Sequence, residues 1–219
     1  KVNLGSRGSV SAVKSIGQYF ENQNNDEYVR FKYHDNSAAL YGEINKTFKK
    51  IVVNTGVRYE VINFNTTVDN LEENSLKFGK VLPSFNLNYN MNPMLGFNIS
   101  YSRKIIFPGY QELDPNNTGI INSFLVDRGN PHLIPSESDL YEFRSNFLKA
   151  GYFSISYSKS RLENFAVATY NGIYSQSIEP FYRVEDWGAS FGLPFPLGII
   201  TKGFAYSNSI KDINNVNFL

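Results

Sequence analysis

The chain has 219 residues, a formal net charge of +1, 19% charged and 42% hydrophobic residues, and no cysteine. So small a net charge offers no basic stripe to displace counterions from nucleic acid, and the lack of cysteine excludes a disulfide framework, a thiolate nucleophile and a cysteine-based metal site. Aromatic residues reach 16%, and no run approaches the roughly 20 apolar residues of a transmembrane helix.

In chain order, Lys1 to Ser11 reads as a strand, without the charged start and apolar core of a signal peptide, so an export signal is expected upstream. Ala12 to Glu27 reads as a polar loop. Tyr28 to Phe48 is a long strand, with Leu40, Gly42 and Ile44 on one face and Tyr41, Glu43 and Asn45 on the other, closed by a turn at Lys49-Lys50. Ile51, Val53, Thr55, Val57, Tyr59 and Val61 alternate with Val52, Asn54, Gly56, Arg58 and Glu60, and period two puts the two sets on opposite faces of a strand. Asn63 to Lys77 is polar and reads as a further loop.

The next strand sets Phe85, Leu87 and Tyr89 against Ser84, Asn86 and Asn88, and turns at Met91 to Met94. Leu95, Phe97, Ile99 and Tyr101 then alternate with Gly96, Asn98, Ser100 and Ser102. A segment of about thirty residues, Ile106 to Pro135, separates this strand from the alternating run Tyr141 to Phe147, whereas loops beyond roughly 12–15 residues are uncommon in compact soluble domains. After a turn at Lys149-Ala150-Gly151, Phe153, Ile155 and Tyr157 oppose Ser154, Ser156 and Ser158. A hairpin is expected at Tyr170-Asn171-Gly172. Trp187, Ala189, Phe191 and Leu193 form an eighth strand, Pro194 to Gly198 turns it, and Ile199 to Ser207 opens a ninth.

No helical period competes, so the chain is all-β. Turns at Lys49, Asn92, Ala150 and Pro196 are short, and the connections between them read as mostly long, the rhythm of an antiparallel up-and-down barrel. A soluble β-sandwich also alternates, but its outward polar face should be rich in Lys, Glu and Thr. Here the polar face is Asn, Ser and Gly, and the apolar face collects Phe, Tyr, Leu and Ile. That favours a transmembrane β-barrel, present as a partial barrel of about nine strands that cannot close alone. Its aromatic girdles would be Tyr59, Tyr89, Tyr101, Phe147, Tyr157 and Trp187.

Gly129-Asn130-Pro131-His132-Leu133-Ile134-Pro135-Ser136-Glu137-Ser138-Asp139-Leu140-Tyr141-Glu142 resembles the Gly-Asn-Pro-x-Leu-x-Pro-Glu-x-Ser-x-x-Tyr-Glu segment of TonB-dependent outer-membrane receptors. Ser100 to Lys104, Phe107 to Tyr110 and Leu113 to Pro115 resemble the strand and loop before it. Leu193 to Leu197 is similar to a turn in the large-barrel branch with a carboxypeptidase-regulatory-like N-terminal domain. Ser136 stands where the family usually has Glu, and Ile134 where Lys is common. The resemblance implies a barrel of about 22 strands around a plug, with the plug and the TonB-contacting segment lying upstream of residues 1–219. It also implies a place in the outer membrane of a Gram-negative bacterium.

Gly188-Ala189-Ser190-Phe191-Gly192 matches the G-x-S-x-G elbow, but both histidines, His34 and His132, precede the serine, so a plain strand and no enzyme are expected. No cofactor is expected. The run Asp114 to Gly119 suits a calcium ion or, more commonly, Asx-type turns. Arg58, Glu60, Glu142 and Arg144 fall mid-strand on the lumen face, as plug contacts or as ordinary lumen filling. Tyr110, Gln111, Asp114, Asp127 and Arg128 lie in the long loop and are the candidates for ligand or partner contact, since binding residues concentrate on loops.

Three functions follow. The first is a TonB-dependent importer of a nutrient, with outer-membrane lipid and TonB as partners. The second is a non-transporting barrel that scaffolds a larger assembly with a surface lipoprotein or other outer-membrane subunits. The third is a soluble carbohydrate-binding β-sandwich.

Overall fold

The computed structural model describes residues 1–219 except 22–24, 70, 117–118, 123–124, 148–150, 171–173, 195–199 and 213–219. Nine long strands form one sheet: β1 (Val2–Glu21), β2 (Asn25–Phe48), β3 (Ile51–Val68), β4 (Leu71–Asn92), β5 (Leu95–Ile106), β8 (Ser136–Phe147), β9 (Gly151–Tyr170), β10 (Tyr174–Pro194) and β11 (Ile200–Asp212). The segment between β5 and β8 holds a single helical turn, α1 (Tyr110–Leu113), and two short strands, β6 (Gly119–Asn122) and β7 (Leu125–Arg128).

Every long strand pairs antiparallel with its chain neighbour. Among the described residues β1 pairs only with β2, and β11 only with β10, so the sheet is open. A sandwich needs a second sheet, and all eleven strands share this one, so the soluble alternative falls. Pro83 helps set the pairing. It has no N–H to donate, and the β4–β5 ladder stops one residue away, at Ser84 and Ser102.

The register separates two faces. One carries Leu40, Val57, Tyr59, Phe85, Ile99, Phe153, Ile155 and Trp187, all exposed. Exposed apolar side chains repeated across a whole sheet face are costly in water and ordinary against lipid. The same face bears a ladder of rings in register: Tyr101 and Tyr141 at 4.8 Å, Tyr141 and Tyr157 at 5.9 Å, Tyr157 and Trp187 at 4.5 Å. Closer to the short turns, Tyr89 stacks on Phe97 at 6.3 Å and Phe97 on Phe143 at 6.4 Å. The expected girdle residues Tyr89, Tyr101, Tyr157 and Trp187 are thus joined by three that the sequence reading left out.

Two expectations change. Asn63 to Lys77 is no loop, because β3 runs on to Val68 and β4 starts at Leu71. Likewise β1 reaches Glu21 and β2 starts at Asn25, across the supposed loop Ala12 to Glu27. The strands outrun the roughly 9–11 residues needed to span, and their polarity inverts as they do. On β3 the outward residues change from Val57, Tyr59 and Val61 to Asn63 and Asn65, while Ile62 and Phe64 turn inward and are fully buried. Such an inversion is what a wall shows where it leaves lipid. A third expectation changes with them: the connections opposite the short turns are not mostly long, since among the described elements the one between β5 and β8 alone is long.

Candidate functional site

The inner face is polar and internally bonded along its lower part. Asn98 donates to Asn88 at 2.7 Å and Asn88 to Asn86 at 2.6 Å. Ser158 donates to Asp186 at 3.0 Å, and Tyr206 donates to the same carboxylate at 2.8 Å. Ser154 and Ser190 share a hydrogen bond of 2.7 Å between neighbouring strands. Ser190 therefore sits mid-strand in β10 against a serine, with no strand–turn–helix elbow around it.

The four charges singled out in the sequence, Arg58, Glu60, Glu142 and Arg144, lie on this face as two separate groups. Arg58 and Glu60 pair at 2.9 Å on β3, the glutamate nearly buried. Glu142 accepts from Ser100 at 3.3 Å, and Arg144 lies over the Tyr152 ring at 5.8 Å, both on β8. Strands β4 and β5 stand between the groups. An open groove of about 730 Å³ crosses the inner faces of β1 to β5, with Asn3, Tyr41, Arg58, Ser84 and Ser102 on its walls.

The upper inner face is covered by the long loop. Leu113 and Leu133, both fully buried, join Phe31, Tyr33, Ile62 and Phe64 in the core cluster of the described residues, with Phe107, Leu76 and Phe78 packed around it. Each such aliphatic side chain contributes about 1.5–3 kcal/mol relative to leaving it exposed. Tyr33 donates to Asp35 within this cluster, and burial first, then that hydrogen bond, push its phenol well above its ordinary pKa. The core therefore sits where the loop meets the wall.

Within the loop, Glu112 reaches back to the Gly109 amide at 2.9 Å and closes the single turn of α1. That turn drives Leu113 into the core and leaves Tyr110 and Gln111 exposed. Asp114 is buried, and its carboxylate accepts the Asn116 amide at 2.9 Å. The Asx turn thus accounts for Asp114, and among the described residues no cluster suited to a metal ion occurs. Asn116 also reaches Ser15 of β1 at 2.8 Å. On the other side β7 runs parallel to the start of β10, pairing Leu125 with Tyr174 and Arg128 with Ser177. Asp127 and Arg128 lie on that strand, and their side chains fall outside the described residues. The loop thus crosses the inner face from its roots in β5 and β8 toward both edges of the sheet. Sequence reasoning placed Tyr110 and Gln111 on this loop but missed Leu113 and Leu133, whose apolar character amid polar neighbours was the available signal.

Residues 1–217 match the sequence model of the Outer membrane protein beta-barrel family. No curated protein matches the chain. Among solved structures it is similar to the hemophore receptor HasR of Serratia marcescens, a double mutant in complex with its hemophore HasA and heme, at 10% identity and TM-score 0.50, covering 88% of this chain and 40% of that one. The siderophore receptor PirA of Pseudomonas aeruginosa is similar at 12% identity and TM-score 0.47, covering 95% of this chain and 51% of that one. The alcaligin outer-membrane receptor FauA of Bordetella pertussis follows at 13% identity and TM-score 0.46, with 97% and 41% covered. The chain therefore spans roughly half or less of these receptors, and at such identity the likeness to HasR concerns the fold alone. An outward apolar face, an inner polar face, membrane-length strands and a family match over nearly the whole chain agree: this chain belongs to the Outer membrane protein beta-barrel family and lies in the outer membrane of a Gram-negative bacterium.

Proposed function

We propose that the intact protein is a TonB-dependent receptor that takes up a nutrient through a plugged lumen. This chain supplies part of the wall and the loop at its mouth. The observation that carries the reading is the Gly129-to-Glu142 segment, which resembles the receptor pattern and whose first part, through Leu133, packs against the inner wall before Ser136 enters β8. Tyr110 and Gln111 are the ligand-contacting residues of this proposal, because α1 leaves them exposed on the mouth side while Leu113 anchors the turn. Arg58, Glu60, Glu142 and Arg144 face the space a plug would fill, and form its contacts on the wall. TonB is engaged by the part of the protein upstream of this chain, and a protein or surface lipoprotein is a fitting partner at the mouth. The carboxypeptidase-regulatory-like branch is proposed on the resemblance of the Leu193-to-Leu197 sequence alone.

The test is growth on candidate nutrients in cells with and without a working TonB system, with wild-type receptor or a Tyr110→Ala, Gln111→Ala variant. Growth that requires TonB and weakens in the variant supports the reading. Growth that ignores loss of TonB points instead to a non-transporting scaffold.

A further inference from the structure

The geometry points to a second role for Gly129 to Leu133, independent of what the receptor carries: we propose that this motif is the seat that fastens the long loop to the inner wall, with Thr66 and Asn74 as its positioning residues. The loop is then a fixed shelf inside the mouth and not a lid that swings clear.

Each residue of the motif has a mechanical reason to be what it is. Gly129 lies so close to Asp114 that a Cβ would stand 2.4 Å from that residue's carbonyl oxygen, which is backbone and cannot swing aside. The Asn130 amide donates to the Glu112 carbonyl at 2.6 Å, which joins the two halves of the loop. The Asn130 side chain accepts the His132 amide at 2.9 Å and turns the chain around Pro131. The Pro131 carbonyl then points at the wall. It accepts from the Thr66 hydroxyl at 3.0 Å and from the Asn74 amide at 2.7 Å, and the same amide reaches the Leu133 carbonyl at 3.3 Å. Leu133 fills the apolar recess next to these bonds.

The wall is shaped to receive this. Thr66 is fully buried, so its hydroxyl needs a partner, and the loop provides it. Asn74 stands beside a bulge, where Thr66 pairs with Asn74 but Thr67 pairs with Glu72, one extra residue on β4. Bulges re-aim side chains, and here the amide turns toward the loop. Thr66 and Asn74 lie above the polarity inversion, beyond the lipid-facing stretch, so their polar groups serve the loop and not the span. A swinging lid would have to break three hydrogen bonds to buried or half-buried acceptors and expose two leucines at each opening.

Backbone amide exchange at Asn130 and Leu133 in the full-length receptor tests the proposal, with the heat-dependent gel mobility of the barrel as the assembly check. In Thr66→Val, Asn74→Ala the seat loses its wall donors, and protection at both amides should fall on the order of tenfold. Thr66→Ser in an otherwise unchanged wall keeps the hydroxyl and should keep the protection. Should the double variant fail to assemble, Leu133→Ser perturbs the seat from the loop side with the wall sequence intact, and should show the same fall. Unchanged protection in the double variant or in Leu133→Ser, or a loss in Thr66→Ser equal to that in the double variant, overturns the proposal.

Discussion

Arg103 holds Asp139 side-on through one guanidinium edge, Nε at 2.8 Å and a terminal nitrogen at 2.9 Å, across the β5–β8 ladder on the outward face. The pair stands in register one step above Tyr101 and Tyr141, and the Tyr101 hydroxyl donates to the same carboxylate at 2.8 Å. Outward charges at this height sit next to the apolar band, where an unpartnered ion is poorly solvated. Bidentate geometry and a third donor make this stronger than an ordinary exposed pair, though both side chains remain partly open to solvent. A double-mutant cycle with Arg103→Met and Asp139→Asn should give a coupling of about 1 kcal/mol, read from unfolding of the receptor in lipid vesicles. A coupling indistinguishable from zero would make the pair incidental.

Orientation of the wall makes a sharper demand. Ile99 and Asn98 are chain neighbours on β5 with opposite faces, Ile99 outward and 48% exposed, Asn98 bonded across the inner face. Ile99→Arg should destabilise the folded receptor by about 2–4 kcal/mol, whereas Asn98→Arg should cost far less because the lumen tolerates charge. The check is a denaturant titration of folding into vesicles. Equal costs at the two sites would contradict the assignment of lipid and lumen faces.

The lower wall was legible because period two persists there in one phase: Val57, Tyr59 and Val61 outward, Arg58 and Glu60 inward. Past Val61 the period persists but its phase reverses, since Ile62 and Phe64 now pack under the loop while Asn63 and Asn65 meet water. Read linearly, that reversal looks like polar loop, which is why β3 and β4 seemed to end early. What reverses it is the position of the membrane and the presence of the loop, and neither is local in sequence. The partners of the seat were hidden for a related reason. Thr66 and Pro131 are 65 residues apart, and Asn116 and Ser15 are 101 apart, so only the curvature of the sheet brings them together. Tyr110, Gln111 and Asp114 were singled out together by a general rule about loops, and that Asp114 is buried while Tyr110 stays exposed emerged only from which way α1 turns them.

Two glycines of the loop carry opposite expectations for one methyl group. Gly109 has φ −65° and ψ 145°, open to any residue, and a Cβ there would make only ordinary contacts at 3.8 Å with Glu112. Gly109→Ala should leave the loop in place and, by narrowing the unfolded ensemble, stabilise it slightly, by about 0.4–1 kcal/mol. At Gly129 the same methyl would meet the Asp114 carbonyl oxygen at 2.4 Å and its carbonyl carbon at 2.8 Å. Relief requires the backbone of one strand of the loop to move, which draws Asn130 from Glu112 and shifts Pro131 off the wall. Gly129→Ala should therefore free the segment between β5 and β8 while leaving β1 to β5 untouched. Proteinase K applied to intact cells reads this directly: nicking of that segment should quicken severalfold in Gly129→Ala and stay at the wild-type rate in Gly109→Ala. Equal rates in both variants would mean that the close approach of Gly129 to Asp114 does not hold the loop.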